Sequence, residues 1–284
     1  MRKPEEFFYL TNATVQLSYY YPMTLSTISF EKGLVNSRAP AHKMAPDMPP
    51  EDFSFMISTS TLATHTFDDA PALDIIFVPG GMGNVALEQA GNTAMEDFVA
   101  RRFGAADYVL SVCTGALTLA RSGVLAGRKA TTNKWAWAYT TSFGNNVTWV
   151  PSARWVADGK VWTSSGVASG LDMTYAFLKQ LYGEENLDRV MNTVEYAPHT
   201  DPHWDPFSVV NKVSQFAPNR SVEMQALLLI SRFRFQEQIP VARSKIVSSR
   251  SGCNCDLGNE LRASTLLNSL SQSQDSNRRG HLDF

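Results

Sequence analysis

The chain has 284 residues, 44% hydrophobic and 18% charged, a composition that excludes a wholly disordered, collagen-like or coiled-coil protein. Twenty-five Lys and Arg against 27 Asp and Glu leave a formal charge of −2, so neither nucleic acid nor an anionic membrane surface is an expected partner. Three cysteines in this length make no disulfide framework and point to a reducing compartment, the cytosol by default.

At the N-terminus, Met1-Arg2-Lys3-Pro4-Glu5-Glu6 is followed by the apolar run Phe7-Phe8-Tyr9-Leu10, which is shorter than a signal-peptide core. No uncharged run reaches the length of a membrane-spanning helix, and even Ala226-Leu227-Leu228-Leu229-Ile230 is closed by Arg232 and Arg234. A soluble protein is expected. Residues 38–52, rich in Pro, Ala and Met, read as a loop. From about residue 74 to 182, short apolar runs alternate with helix-like segments, the pattern of a parallel sheet covered by helices. Ile75-Ile76-Phe77-Val78 predicts a strand, followed by the turn Pro79-Gly80-Gly81-Met82-Gly83. A helix opens at Thr93, where Glu96 three residues on suits a capping box. Tyr108-Val109-Leu110-Ser111 predicts a second strand that runs straight into a helix over 114–120, ending before Gly123. Residues 129–132 predict a third strand. Residues 154–157 and 160–163 flank Asp158-Gly159, a two-residue hairpin signal. The next helix starts near Ser169, carries Met173, Ala176, Phe177 and Leu181 on one face and stops near Gly183. Beyond about Ala217 a helix-like stretch through Ile230 gives way to Ser-rich sequence over 248–277. The expected division is one α/β domain over 1–215 and a poorly ordered extension over 216–284. No internal repeat is visible.

The chemistry concentrates at Ser111-Val112-Cys113-Thr114-Gly115. A strand turning sharply into a helix strains the residue at the turn, exposes its side chain, and demands small residues two before and two after. Ser111 and Gly115 meet that demand. Unpaired N–H groups at a helix N-terminus favour thiolate over thiol, so Cys113 reads as an acidic nucleophile; the alternative is a buried small hydrophobe. Gly80 and Gly81 follow a neighbouring strand, at the carboxyl edge where open α/β sheets bind ligands. There they either present backbone N–H groups to developing negative charge or make a tight turn and nothing more.

Other clusters carry less. His199-Thr200-Asp201-Pro202-His203-Trp204-Asp205 has zinc-like His spacing, but Pro198, Pro202 and Pro206 forbid the helix that spacing needs. A loop at the site rim or a dimer contact is expected there, with no metal. Cys253-Asn254-Cys255 has no second pair. The six tryptophans, among them Trp135, Trp137, Trp149, Trp155 and Trp162, read mostly as core or interface, with one or two lining an apolar pocket.

In chain order, Asp74-Ile-Ile-Phe-Val-Pro-Gly-Gly, Ser111-Val-Cys-Thr-Gly-Ala, Gly127-Arg-Lys-Ala-Thr-Thr, Trp162-Thr-Ser-Ser-Gly-Val-Ala-Ser-Gly-Leu-Asp-Met and Val194-Glu-Tyr-Ala-Pro resemble the DJ-1/PfpI family, and within it the branch containing isonitrile hydratase. The resemblance covers about residues 23–210. It implies a flavodoxin-like three-layer sandwich with a mostly parallel sheet, a homodimer, no cofactor, and Cys113 in the reactive position. The branch implies a small-molecule substrate, an isonitrile hydrated to an N-substituted formamide through a thioimidate on Cys113. Backbone N–H groups of Gly81 and Thr114, beside Gly80, would then steady the developing charge. Detoxification or tailoring of a secondary metabolite would fit such an activity. Glyoxalase-like relatives use the same thiolate on an aldehyde but lean on a His and a Glu, and no His stands in the matching place. A non-catalytic redox or interaction protein is a third reading; a peptidase borrows only from the family's older name.

Two departures from the family pattern stand out. Related chains begin with a strand and an acidic segment ending in Gly-Pro, whereas this one matches from Pro4, so the first strand and the acidic partner are expected to be missing. The offsets of Glu5 and Glu6 do not suit that role. After Ala130-Thr131-Thr132 the branch has His-Trp and this chain has Asn133-Lys134-Trp135. Asn133 can orient a substrate but cannot shuttle protons near neutral pH. As a favoured N-cap residue, its expected role is to cap the helix through Trp135 and Tyr139.

Overall fold

The computed structural model describes residues 16–38, 40–43, 49–53 and 55–213. The expectations for the first ten residues, for 216–284 and for Cys253 and Cys255 lie outside the described residues. In chain order the elements are β1 (Ile28–Ser29), β2 (Gly33–Asn36), β3 (Ser60–Ala63), β4 (His65–Thr66), β5 (Ile75–Val78), α1 (Met82–Gln89), α2 (Ala94–Phe103), β6 (Tyr108–Val112), α3 (Gly115–Arg121), β7 (Lys129–Ala130), α4 (Trp137–Thr141), β8 (Thr148–Trp149), β9 (Trp155–Asp158), β10 (Val161–Ser164), α5 (Val167–Tyr182), α6 (Glu185–Thr193) and α7 (Phe207–Val210).

The central sheet has strand order β5-β6-β10-β9. The first three strands are parallel, with Phe77 opposite Leu110 and Leu110 opposite Trp162, and β9 closes the row antiparallel to β10. Successive side chains on a strand point to opposite faces. Tyr108, Leu110 and Val112 of β6 accordingly join Met173, Phe177 and Leu178 of α5, with Leu187 and Val190 of α6, on one side. Val109, with Ile76, Val78 and Val161, faces Leu119 of α3 and Val99 of α2 on the other. Helices on both faces of a mostly parallel sheet make the three-layer α/β sandwich that the alternating runs predict. Burial of each large side chain such as Leu110 or Met173 contributes roughly 1.5–3 kcal/mol. Among the described residues β5 is an edge strand, and no helix is long and apolar enough to cross a membrane.

Several elements differ from the sequence expectation. Helix α1 follows directly on Gly81, where the sequence reading continues the turn through Met82 and Gly83. The capping box at Thr93 does not form: the Thr93 hydroxyl donates to Asp97, while Glu96 is drawn inward to pair with Arg121 of α3. The third strand stops at Ala130 and pairs with β8 outside the central sheet, because Thr131 turns its N–H to Thr163 Oγ1 at 2.9 Å. The hairpin forms with its two-residue loop at Gly159-Lys160, one residue later than Asp158-Gly159, and the Asp158 carboxylate is left to accept the Lys129 N–H at 2.7 Å. Helix α5 begins at Val167 and ends before Gly183, whose φ of 76° stops it. Trp155 and Trp162 are core residues, whereas Trp135 is exposed.

Candidate active site

Cys113 occupies the junction between β6 and α3 with a φ of 58°, a left-handed conformation that costs an L-residue about 1–2 kcal/mol. The elbow is held by close approaches that only glycine permits. A Cβ on Gly115 would stand 2.3 Å from Val78 O, and one on Gly80 would stand 2.4 Å from Cys113 Cβ. From below, a Cβ on Gly170 of α5 would meet the Val112 side chain at 2.7 Å. The Cys113 N–H donates to Ser164 O at the carboxyl end of β10, at 3.1 Å. Cys113 is therefore strained as expected but not exposed: at 3% accessibility it is enclosed, because the Gly80-Gly81 turn lies directly against it.

The structure also alters the expected anion hole. Gly81, at φ 149°, gives its N–H to Thr114 Oγ1 at 2.8 Å, and the same hydroxyl donates back to Gly81 O at 3.0 Å. The Thr114 side chain thus fills the donor that sequence assigned to a ligand. Opposite, the Thr132 hydroxyl donates to Cys113 O at 3.0 Å. Asn133 Oδ1 accepts the N–H groups of Trp135 at 2.9 Å and Ala136 at 3.1 Å, but this stabilises a turn and is not the expected helix cap: α4 starts only at Trp137, behind Ala136, with no side-chain cap, and Trp135 lies outside it. Its Nδ2 lies 3.7 Å from a Cβ position on Gly166. Cys113, Thr114, Gly80 and Gly81 are thus brought together, with Asn133 on the segment that runs on from Thr132.

Two buried charge sites beside this region were not anticipated. Lys134 Nζ donates to Thr131 Oγ1 at 2.6 Å and Ala153 O at 2.9 Å, and stands 3.4 Å from Asp205 Oδ2. Arg154 places Nε 2.6 Å and a terminal nitrogen 2.5 Å from Asp172 Oδ2. Asp172 Oδ1 accepts from the Tyr196 hydroxyl and from His199 N at 2.8 Å. The one available signal was Asp172 on the apolar face of α5, next to Met173. Among the described residues no three His, Cys, Asp or Glu side chains gather as a metal site requires. Instead His199 stacks on Trp204 at 4.1 Å, and Asp205 turns inward to Lys134.

Burial pushes the Lys134 amine down to about 8, with Asp205 opposing the shift; burial likewise raises the Asp205 carboxyl, with Lys134 opposing. Below pH 8 the amine is charged in the folded and unfolded chain alike. Between about 8 and its ordinary value of 10.5 the unfolded chain holds a proton that the folded one lacks, so stability rises with pH through that window. The urea midpoint is expected to be higher at about pH 9.5 than at about pH 7.5, equivalent to a gain on the order of 1–2 kcal/mol, and the rise should vanish in Lys134→Met.

With this geometry in place, comparisons with known proteins are informative. The DJ-1/PfpI family pattern matches residues 25–180, more than half of the chain. Isonitrile hydratase from Pseudomonas putida is 38% identical over 135 residues, which cover 48% of this chain and 57% of that protein. The chain therefore spans little more than half the length of that curated relative. A solved THiJ/PfpI family protein from Pseudomonas syringae superposes with a TM-score of 0.54 at 23% identity, over 83% of this chain and 84% of that one. A DJ-1 superfamily protein from Salmonella typhimurium gives 0.51 at 19% identity, over 69% and 94%. These two share the fold.

Proposed function

The chain belongs to the DJ-1/PfpI family, and from that premise we propose that it hydrates an isonitrile to an N-substituted formamide, with Cys113 as the nucleophile. The observation that carries this reading is the elbow: a strained cysteine enclosed between Gly80-Gly81 and Thr132 at the carboxyl end of a parallel sheet. The isonitrile as substrate follows the relative that is 38% identical.

The Cys113 thiolate attacks the terminal carbon of R–N≡C, forming a C–S bond, and that carbon takes a proton to give the thioimidate R–N=CH–S–Cys. Water adds to the same carbon while nitrogen takes a proton. The hydroxyl of that adduct then gives up its proton as the C–S bond breaks, releasing R–NH–CHO and the thiolate and returning the proton taken up in the first step. The Thr114 backbone N–H would steady the developing charge, and the Gly81 N–H would join it once the Thr114 hydroxyl moves off, at a loss of two neutral hydrogen bonds, about 2 kcal/mol.

Incubation of the protein with an aryl isonitrile is expected to yield the corresponding formamide, detected by mass spectrometry. No product above the uncatalysed background would overturn the proposal.

A further inference from the structure

Lys134 and Asp205 are buried charges that the proposed chemistry does not use, their side chains 1% and 0% exposed. A buried ion pair is seldom more stable than two apolar side chains of similar volume, so stability alone does not account for one here. What the pair does is join segments far apart in sequence. The Lys134 ammonium reaches Thr131 on its own segment, Ala153 just ahead of β9, and Asp205 in the loop before α7. It also lies 4.8 Å from the centre of the Trp137 ring. Asp205 is itself fixed, its Oδ1 accepting the Phe207 N–H at 3.1 Å.

Between Thr131 and Lys134 sit the two residues that approach the elbow. Thr132 donates to the Cys113 carbonyl, and Asn133 turns its amide nitrogen toward Gly166. Thr131 keeps its own bonds to Thr163 and Val150, so loss of the charge pair loosens the segment after it and not the strand before it. We propose that Lys134 and Asp205 are positioning residues for Cys113: a buried clamp that holds residues 132–133 against the elbow and keeps its thiol enclosed. The inference rests on the proposed function only in taking Cys113 as the reacting group.

The test is the rate of Cys113 alkylation by iodoacetamide, followed by peptide mass spectrometry, in the wild type, Lys134→Met, and Lys134→Met/Asp205→Leu. The double variant is expected to regain most of the stability that Lys134→Met loses, because an apolar pair replaces an ionic one, while Ala153 O and the Phe207 N–H lose their partners and keep it somewhat below wild type. It should nonetheless alkylate at least about tenfold faster, since access is governed by local opening of the enclosing segment. A purely structural pair predicts that alkylation recovers together with stability. A rate within about twofold of wild type in the stable double variant therefore overturns the clamp. If the double variant does not fold, Asp205→Asn is judged by the same two rates. A wild type inert toward isonitriles would sink the proposed reaction and leave the alkylation comparison readable, so the two failures are distinguishable.

Discussion

Replacing Cys113 by alanine is expected to lower formamide formation from an aryl isonitrile by at least about a thousandfold while the protein still folds. The two halves of that expectation have separate physical origins. Loss of the thiol removes the only group proposed to bond to the isonitrile carbon, and backbone N–H groups cannot replace a nucleophile. Folding is little affected because alanine fits the space and inherits the same strain at φ 58°. Cys113→Gly separates the two: glycine adopts that φ without penalty, so it should be more stable than the alanine variant by about 1–2 kcal/mol and equally inactive. Product formation, measured by mass spectrometry, and urea midpoints check both halves. Formamide at the wild-type rate from Cys113→Ala would remove the cysteine from the mechanism whatever the fold does.

The elbow was legible in the sequence because its requirements are local. Small residues at 111 and 115 and a glycine pair after the neighbouring strand describe one crowded turn, and the contacts at Gly80 and Gly115 show that crowding. The sandwich was legible for a similar reason, since each strand and helix carries its own periodicity. What could not be read was the enclosure of Cys113, which depends on how the Gly80-Gly81 turn and Thr132 approach it from separate segments. The Thr114 hydroxyl on Gly81 N–H is of the same kind: a donor assigned by motif to a ligand is satisfied by a side chain 33 residues away. Lys134 gave no local signal, because a lysine in a polar turn reads as a solvated charge and its partner, Asp205, lies 71 residues on. Glu96 failed as a capping residue for the converse reason. Its local partner lost to Arg121, a full charge on a packed neighbouring helix.

Asp172→Ala is expected to be the most destabilising of the substitutions considered, by about 3–5 kcal/mol, through loss of the countercharge to a buried guanidinium. Both groups are almost wholly buried, and a single carboxylate meets four donors: two nitrogens of Arg154, the Tyr196 hydroxyl and the His199 N–H. Burial and the bond to Asp172 raise the Tyr196 phenol above its ordinary value, so it keeps its proton and donates throughout the neutral range. Without Asp172, Arg154 loses the carboxylate it bonds directly and keeps only the weaker attraction of Asp205, and the tyrosine and the amide lose their acceptor, each at a cost of about 1–3 kcal/mol if left dry. The loop carrying His199 has a further tie, Arg154 N–H to Pro202 O at 2.7 Å, and Arg154 O in turn accepts the Ser165 N–H at 2.9 Å beside the elbow. Replacing both charges, in Arg154→Met/Asp172→Leu, should recover only part of the loss, because Tyr196 and His199 N remain without an acceptor. Urea unfolding of the two variants checks this. Full recovery in the double variant would mean that the ion pair is the whole of the interaction, and a loss below about 1 kcal/mol in Asp172→Ala would mean that the carboxylate does not hold the loop.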